Sequence, residues 1–125
     1  MATEFLVKLA DRPGQLAALA GALGKGKVQL RGIGAQKGVV GLLVADKDAA
    51  KARRALKAGK FRATERKAIE LRLQDKPGAL AKAAGRFGKG KVNIASAYVL
   101  APGRGSVGVA FGVKNAGKAK RALGR

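Results

Sequence analysis

The residues best placed to do chemistry occur twice. Asp11-Arg12-Pro13-Gly14-Gln15 and Asp75-Lys76-Pro77-Gly78-Ala79 each set an acid, a base and a Pro-Gly pair just ahead of an apolar helical pattern. Backbone N–H groups at the start of a helix attract a carboxylate, and a glycine there lets a ligand come close. Asp75 offers an anion to an ammonium group, and Asn93, at the head of a later strand, carries an amide that both donates and accepts. Asp75, Lys76, Pro77, Gly78, Ala79, Asn93 and Ile94 therefore form a candidate seat for a small molecule carrying both groups. The matching first set is Asp11, Arg12, Pro13, Gly14 and Gln15, with Gln29 in the place of Asn93, and the longer Gln29 side chain argues against an equivalent site. Each residue also has an architectural role open to it: ordering a loop, opening a helix or capping a turn.

Other chemistries are excluded by composition or by order. The chain has no cysteine and no histidine, which removes thiolate nucleophiles, disulfides and the commonest general base and metal ligand. Seven acids spread over 125 residues form no catalytic pair, so neither an enzyme nor a cofactor or metal is expected. Gly21 to Lys27 and Gly85 to Lys91 fit the spacing of a phosphate loop. Both are followed by valine where Ser or Thr should hold magnesium, and both lie between a helix and a strand, the reverse of the required order. Gly103, Gly105 and Gly108 fit a dinucleotide spacing but open a hairpin strand.

The elements that must position the candidate residues repeat as well. Residues 11–30 match residues 75–94 without a gap, 64 positions later, and Gly24-Lys25-Gly26-Lys27-Val28 falls on Gly88-Lys89-Gly90-Lys91-Val92. Beyond the hairpin the offset becomes 67, with Ala52-Arg53-Arg54-Ala55-Leu56 on Ala119-Lys120-Arg121-Ala122-Leu123. The three extra residues fall near Pro102-Gly103-Arg104. Alternation predicts half-buried strands over Phe5–Leu9 and Ile69–Leu73. Helices follow each Pro-Gly, the proline in the first turn, with Leu16, Leu19, Ala20 and Leu23, then Leu80, Ala83, Ala84 and Phe87, at core spacing. Glycine in a left-handed exit ends each helix. Hairpins are predicted over 28–35 with 39–45 and over 92–100 with 106–113. Second helices follow over 48–58, capped by Asp48, and over 116–123. Phe61–Arg66 closes the first repeat. The second stops where its last strand should begin, so either that strand is missing or the segment from Phe61 to Leu73 serves both sheets.

The order βαββαβ, with Asp-basic-Pro-Gly-x-Leu-Ala ahead of the helix and Gly-x-Val-Asn-Ile opening the second strand, resembles the ACT domain family. Asp75-Lys76-Pro77-Gly78-Ala79-Leu80-Ala81 and Gly90-Lys91-Val92-Asn93-Ile94 carry the resemblance best. It implies an α+β fold of two ferredoxin-like repeats, 1–66 and 67–125, with antiparallel sheets covered by helices on one face and the second repeat short of its last strand. It further implies a non-enzymatic regulatory protein that binds a small effector, usually an amino acid, between domains paired within one chain or in a homodimer.

Charge sets the other expectation. With 27 Lys and Arg against 7 Asp and Glu, a net charge of +20 attracts nucleic acid or other polyanions without regard to sequence. Arg104 to Phe111 half-fits the central strand of RNA-recognition domains, but Ser106 and Gly108 stand where stacking aromatics belong. Gln15, Lys25, Gln74, Lys82, Lys89 and Asn115 occupy places where helical surfaces usually carry Glu, as in a positively supercharged, redesigned scaffold. The acidic N-terminus and the lack of a long apolar run predict a cytoplasmic chain without a membrane partner.

Overall fold

A computed structural model describes residues 1–124. The chain is α+β, with strands and helices in the order β1 (Ala2–Lys8), α1 (Gln15–Lys25), β2 (Gly32–Gln36), β3 (Val39–Ala45), α2 (Ala49–Ala58), β4 (Ala63–Gln74), α3 (Ala79–Lys89), β5 (Ile94–Gly103), β6 (Ser106–Val113) and α4 (Ala116–Ala122). It divides into two compact units, one of Thr3–Glu65, the other of Met1–Ala2 with the residues from Arg66 onward. The two strands expected at 61–66 and 69–73 are one 12-residue strand, β4. No turn residue interrupts Ala63 to Gln74, so nothing ends the ladder there.

In the first unit the strands lie in the order β2-β3-β1, with β2 and β3 antiparallel from Gly32 opposite Leu43 to Gln36 opposite Val39. Alternate residues of the strands, Phe5, Val7, Val40, Leu42 and Val44, meet Leu19 and Leu23 of α1 and Ala52 and Leu56 of α2 in one core. From Phe5 to Lys8 burial in β1 alternates as the spacing predicts, while the start of the strand, Ala2–Glu4, is buried on both faces and Glu4 is fully enclosed. Leu16 turns out of the core and is 47% exposed, so the apolar stripe of α1 is narrower than its spacing predicts.

In the second unit the order is β4-β6-β5, both pairs antiparallel, with Lys67 opposite Val113 and Gln74 opposite Ser106. The ladder of β5 on β6 shifts register twice, between Ile94 and Ser96 and between Val99 and Pro102, where the extra hairpin residues lie. Phe87 of α3 meets Phe111 of β6 with ring centroids 5.2 Å apart at 58°. An inclined aromatic pair of this kind adds about 0.5–1.5 kcal/mol beyond burial. Ile69, Ala83, Val109, Val113, Ala119 and Leu123 complete the core. Leu80, the counterpart of Leu16, is likewise out of it.

The helix exits correct the expected role of their glycines. Gly26 and Gly90 have ordinary φ of −80° and −82°, and the left-handed residues are Lys27 (φ 57°) and Lys91 (φ 58°). Val28 N–H donates to the Leu23 carbonyl and Lys27 N–H to that of Gly24, both at 3.0 Å. Val92 and Lys91 do the same to Phe87 and Gly88. These are paired 6→1 and 5→2 exits with lysine in the left-handed place. Glycine is required one residue earlier for a different reason. A Cβ on Gly26 would lie 2.7 Å from that of Ala55, and one on Gly90 2.6 Å from that of Ala122, so each first helix ends pressed against the second helix of its unit.

Candidate functional site

The two Pro-Gly pairs precede their helices and do not lie within them. Gly14 (φ 87°, ψ −11°) and Gly78 (φ 88°, ψ −14°) are the cap residues of α1 and α3. Gln15 N–H donates to the Arg12 carbonyl at 3.4 Å, and Ala79 N–H to that of Lys76 at 3.3 Å. Proline followed by a positive-φ residue with ψ near zero, closed by that bond, is a type II turn, and glycine suits its third position. The turn uses the first helical N–H of α3, and the regular helical bonds begin with Lys82, whose N–H donates to the Gly78 carbonyl at 3.0 Å. Between these, the N–H groups of Leu80 and Ala81 meet no acceptor among the described residues, and no side chain caps the helix. Such donors sit at the positive end of the helix dipole.

What lies beside the turn differs between the units. Beside α3 a cavity of about 430 Å³ is walled by Lys76, Ala79, Lys82, Ala83 and Arg86 and by Leu71 to Gln74 of β4. Its lining contains no acid. Arg86 is held by a 2.7 Å bond to the Leu123 carbonyl, and Arg72 by one of 3.2 Å to that of Ala101, which leaves exposed Lys76 and Lys82 as the mobile cations of the wall. In the first unit a space of about 120 Å³ lies between the opening turn, at Asp11, Arg12 and Gln15, and the β2–β3 hairpin, at Gln36 to Val40. Small-molecule sites usually enclose about 300–1,000 Å³, so the cavity beside α3 has room of that order.

The structure brings some candidate residues together and parts others. Lys76 and Ala79 share the larger cavity, with Pro77 and Gly78 in the turn that joins them. Asp75 is exposed and its N–H donates to the Gly105 carbonyl at 3.1 Å, which ties the loop to the hairpin. Asn93 lies past the exit of α3 and lines a different cavity, of about 580 Å³, with Lys91, Lys114 and Asn115. An 11-residue helix is about 16 Å long, so no small molecule in this unit touches both Gly78 and Asn93. Ile94 packs half-buried against the core. In the first unit Asp11 stands 3.6 Å from Lys37, both exposed, beside Arg12, Pro13 and Gly14, while the Gln29 amide donates to the Leu30 carbonyl at 3.3 Å.

Lys82 and Arg86 are the site residues the motif did not point to. Their spacing from Ala79, three and seven positions along α3, puts them on one helix face, and that spacing was the available signal. Among the described residues no group of three or more acids gathers as a metal-ligating cluster, and no helix is long and apolar enough to cross a membrane. The arrangement can attract and hold an anion.

No protein-family model and no curated protein matches the chain. Among solved structures, protein BT0572 from Bacteroides thetaiotaomicron superposes with a TM-score of 0.78 at 25% identity, over 97% of this chain and 85% of that one. The ligand-free regulatory subunit of aspartate kinase from Thermus thermophilus gives 0.68 at 20% identity, over 98% and 89%. Aspartokinase III of E. coli, in complex with aspartate and ADP, gives 0.64 at 15% identity, over 97% of this chain and 30% of the enzyme. The fold is ACT-like, similar over nearly the whole chain to the regulatory subunits of aspartate kinase.

Proposed function

We propose that the chain is a non-enzymatic regulatory protein of two ACT-like repeats, residues 1–66 and 67–125, whose second repeat binds an amino acid at the opening of α3. The observation that carries this reading is the conjunction at one place of an uncapped helix start behind left-handed Gly78 and a cavity of about 430 Å³ bounded by Lys76, Lys82 and Arg86. A ligand carboxylate would meet the N–H groups of Leu80 and Ala81, and a second acidic group would be drawn to Lys76 and Lys82. The lining therefore favours an acidic amino acid over a basic one. Solved neighbours include aspartokinase III of E. coli in complex with lysine and aspartate, which makes both natural probes. A cytoplasmic setting belongs to the same proposal.

Isothermal titration of the full chain with a panel of amino acids tests it. Aspartate is expected to bind saturably with a fixed stoichiometry and lysine much more weakly. Gly78→Leu, which forces a branched side chain into a φ of 88°, is expected to weaken aspartate binding at least tenfold, or about 1.4 kcal/mol, while the chain still melts cooperatively. No heat with any member of the panel, or unchanged affinity in a folded Gly78→Leu protein, removes the proposal.

A further inference from the structure

At the opposite end of α1 from its opening turn, the first unit has a second concavity that the effector reading does not use. It is a groove of about 570 Å³ between the exit of α1 and the outer face of α2. Ala22, Gly26, Ala55 and Gly59 form its floor, and Lys25, Lys51 and Arg54 stand on its rim. The floor is shallow and free of bulky side chains because the two helices meet so closely there that Gly26 has no room for a Cβ. All three rim cations are exposed, and none has an ion pair among the described residues. Of the acids near α2, Asp46 and Asp48 lie at its start and do not line the groove, and Glu65 is occupied on another side of the helix. It accepts two 2.7 Å bonds from Arg53, which does not line the groove.

Two helix ends point their carbonyls toward this place, which by itself repels anions. The magnitudes decide the matter. Each helix end carries roughly half a negative charge, and much of it is already met by the N–H groups of the exit turns. Three full positive charges outweigh it. At the offsets of the duplication the second unit has Lys89 for Lys25, Lys118 for Lys51 and Arg121 for Arg54, with Arg86, bonded to the Leu123 carbonyl, in the place of Ala22.

The chemistry of the occupant follows from what the groove has and lacks. Exposed cations hold one small anion weakly, since isolated surface ion pairs are screened by water and salt and contribute little. They bind well only when a polymer presents several phosphates at once and releases its counterions. A lipid surface fits poorly, because interfacial binding needs large apolar side chains beside the cations and this lining offers alanine and glycine. With no aromatic in the lining, bases are not stacked and sequence is not read. We infer that the groove between α1 and α2 is a seat for the phosphodiester backbone of nucleic acid, through which the chain binds nucleic acid without regard to sequence.

The test compares two triple variants of the full chain that remove the same charge. One is Lys25→Gln with Lys51→Gln and Arg54→Gln. The other takes three exposed cations outside the groove, Lys8→Gln with Arg62→Gln and Arg104→Gln. Binding of a fluorescein-labelled single-stranded RNA of mixed sequence is followed by anisotropy across a salt series. Each phosphate contact contributes about −0.7 to the slope of log K on log salt, so the groove variant is expected to lose about 2 from that slope and at least about tenfold in affinity at 0.1 M salt. The control triple should keep the slope and lose less than about twofold. Equal losses in the two triples would mean that net charge alone binds RNA and would overturn the seat. So would an unchanged slope in the groove variant, an RNA that fails to bind the unmodified chain, or loss of binding to phosphatidylserine vesicles without loss of binding to RNA. All six positions are exposed, so unchanged melting curves are expected and serve as the check on folding.

Discussion

At the exit of its first helix, the first unit has Ala22 where the second has Arg86, and Leu23 where the second has Phe87. Around these two substitutions the backbone is the same: the exit bonds, the left-handed lysine and the glycine pressed on an alanine recur within a few degrees and 0.1 Å. The side chains are where the units part. Leu23 lies in the first core, whereas Phe87 leans on Phe111, and Arg86 reaches the Leu123 carbonyl at 2.7 Å while Ala22 leaves the floor of a groove open. Backbone geometry in a duplicated chain is held by a few obligatory contacts, and function is free to diverge in the cavities around them.

The largest test of that contrast lies in the two cores. Phe87→Ala is expected to cost about 3–5 kcal/mol and Leu23→Ala about 2–5 kcal/mol, with the ring pair lost only in the first. Denaturant unfolding of both variants measures this, and a Leu23→Ala penalty above that of Phe87→Ala would contradict a second core built around one ring.

A smaller effect, equal in the two units, is expected at the shared helix contact. Gly26→Ala and Gly90→Ala each place a Cβ under 3 Å from another, and relief requires the helices to move apart at a cost of about 1–3 kcal/mol. Both glycines have negative φ, so the penalty is steric and not conformational. If either substitution stabilises the protein, as removal of glycine from a permissive site would, the contact is not obligatory.

The smallest difference concerns the second helices. Asn115, with an extended backbone (φ −123°, ψ 97°), accepts a 3.0 Å bond from Lys118 N–H and caps α4. Asp48 occupies the corresponding place before α2, but a short 3-10 turn, Asp46–Asp48, holds it at φ −100°, ψ 0°, and its side chain caps nothing. Asn115→Ala should cost about 1 kcal/mol and Asp48→Ala nearly nothing, read as shifts in the denaturation midpoint. Equal shifts would mean that the cap bond is not what distinguishes them.

Asp48 also illustrates how far sequence carried. Its type and place marked the helix start correctly, yet whether an N-cap side chain turns back on its helix depends on the preceding φ and ψ, here fixed by a 3-10 turn that no pattern announced. Strands β3 and β6 were legible to the residue because hydrophobic runs end abruptly at Gly38 and Gly105. Strand β2 was not: Val28 and Leu30 read as strand but serve the helix exit and the core margin, and pairing begins only at Gly32. At the candidate site the motif gave Lys76, Gly78 and Ala79, while Lys82 and Arg86 emerged only once α3 set their shared face.

The order of residues alone determined the duplication, the places where each Pro-Gly opens and each Gly-Lys-Gly-Lys ends a helix, and the great excess of positive charge, because each depends on neighbours within a few positions or on a simple count. Tertiary structure alone decided that Gly26 and Gly90 are there to admit a second helix, that Gly78 and Asn93 lie at opposite ends of one helix, and that a cavity of about 430 Å³ opens beside the second Pro-Gly turn. Those outcomes turn on close approach between segments far apart in the chain, where a few tenths of an ångström separate a contact from a clash and one side chain decides whether a cavity is open.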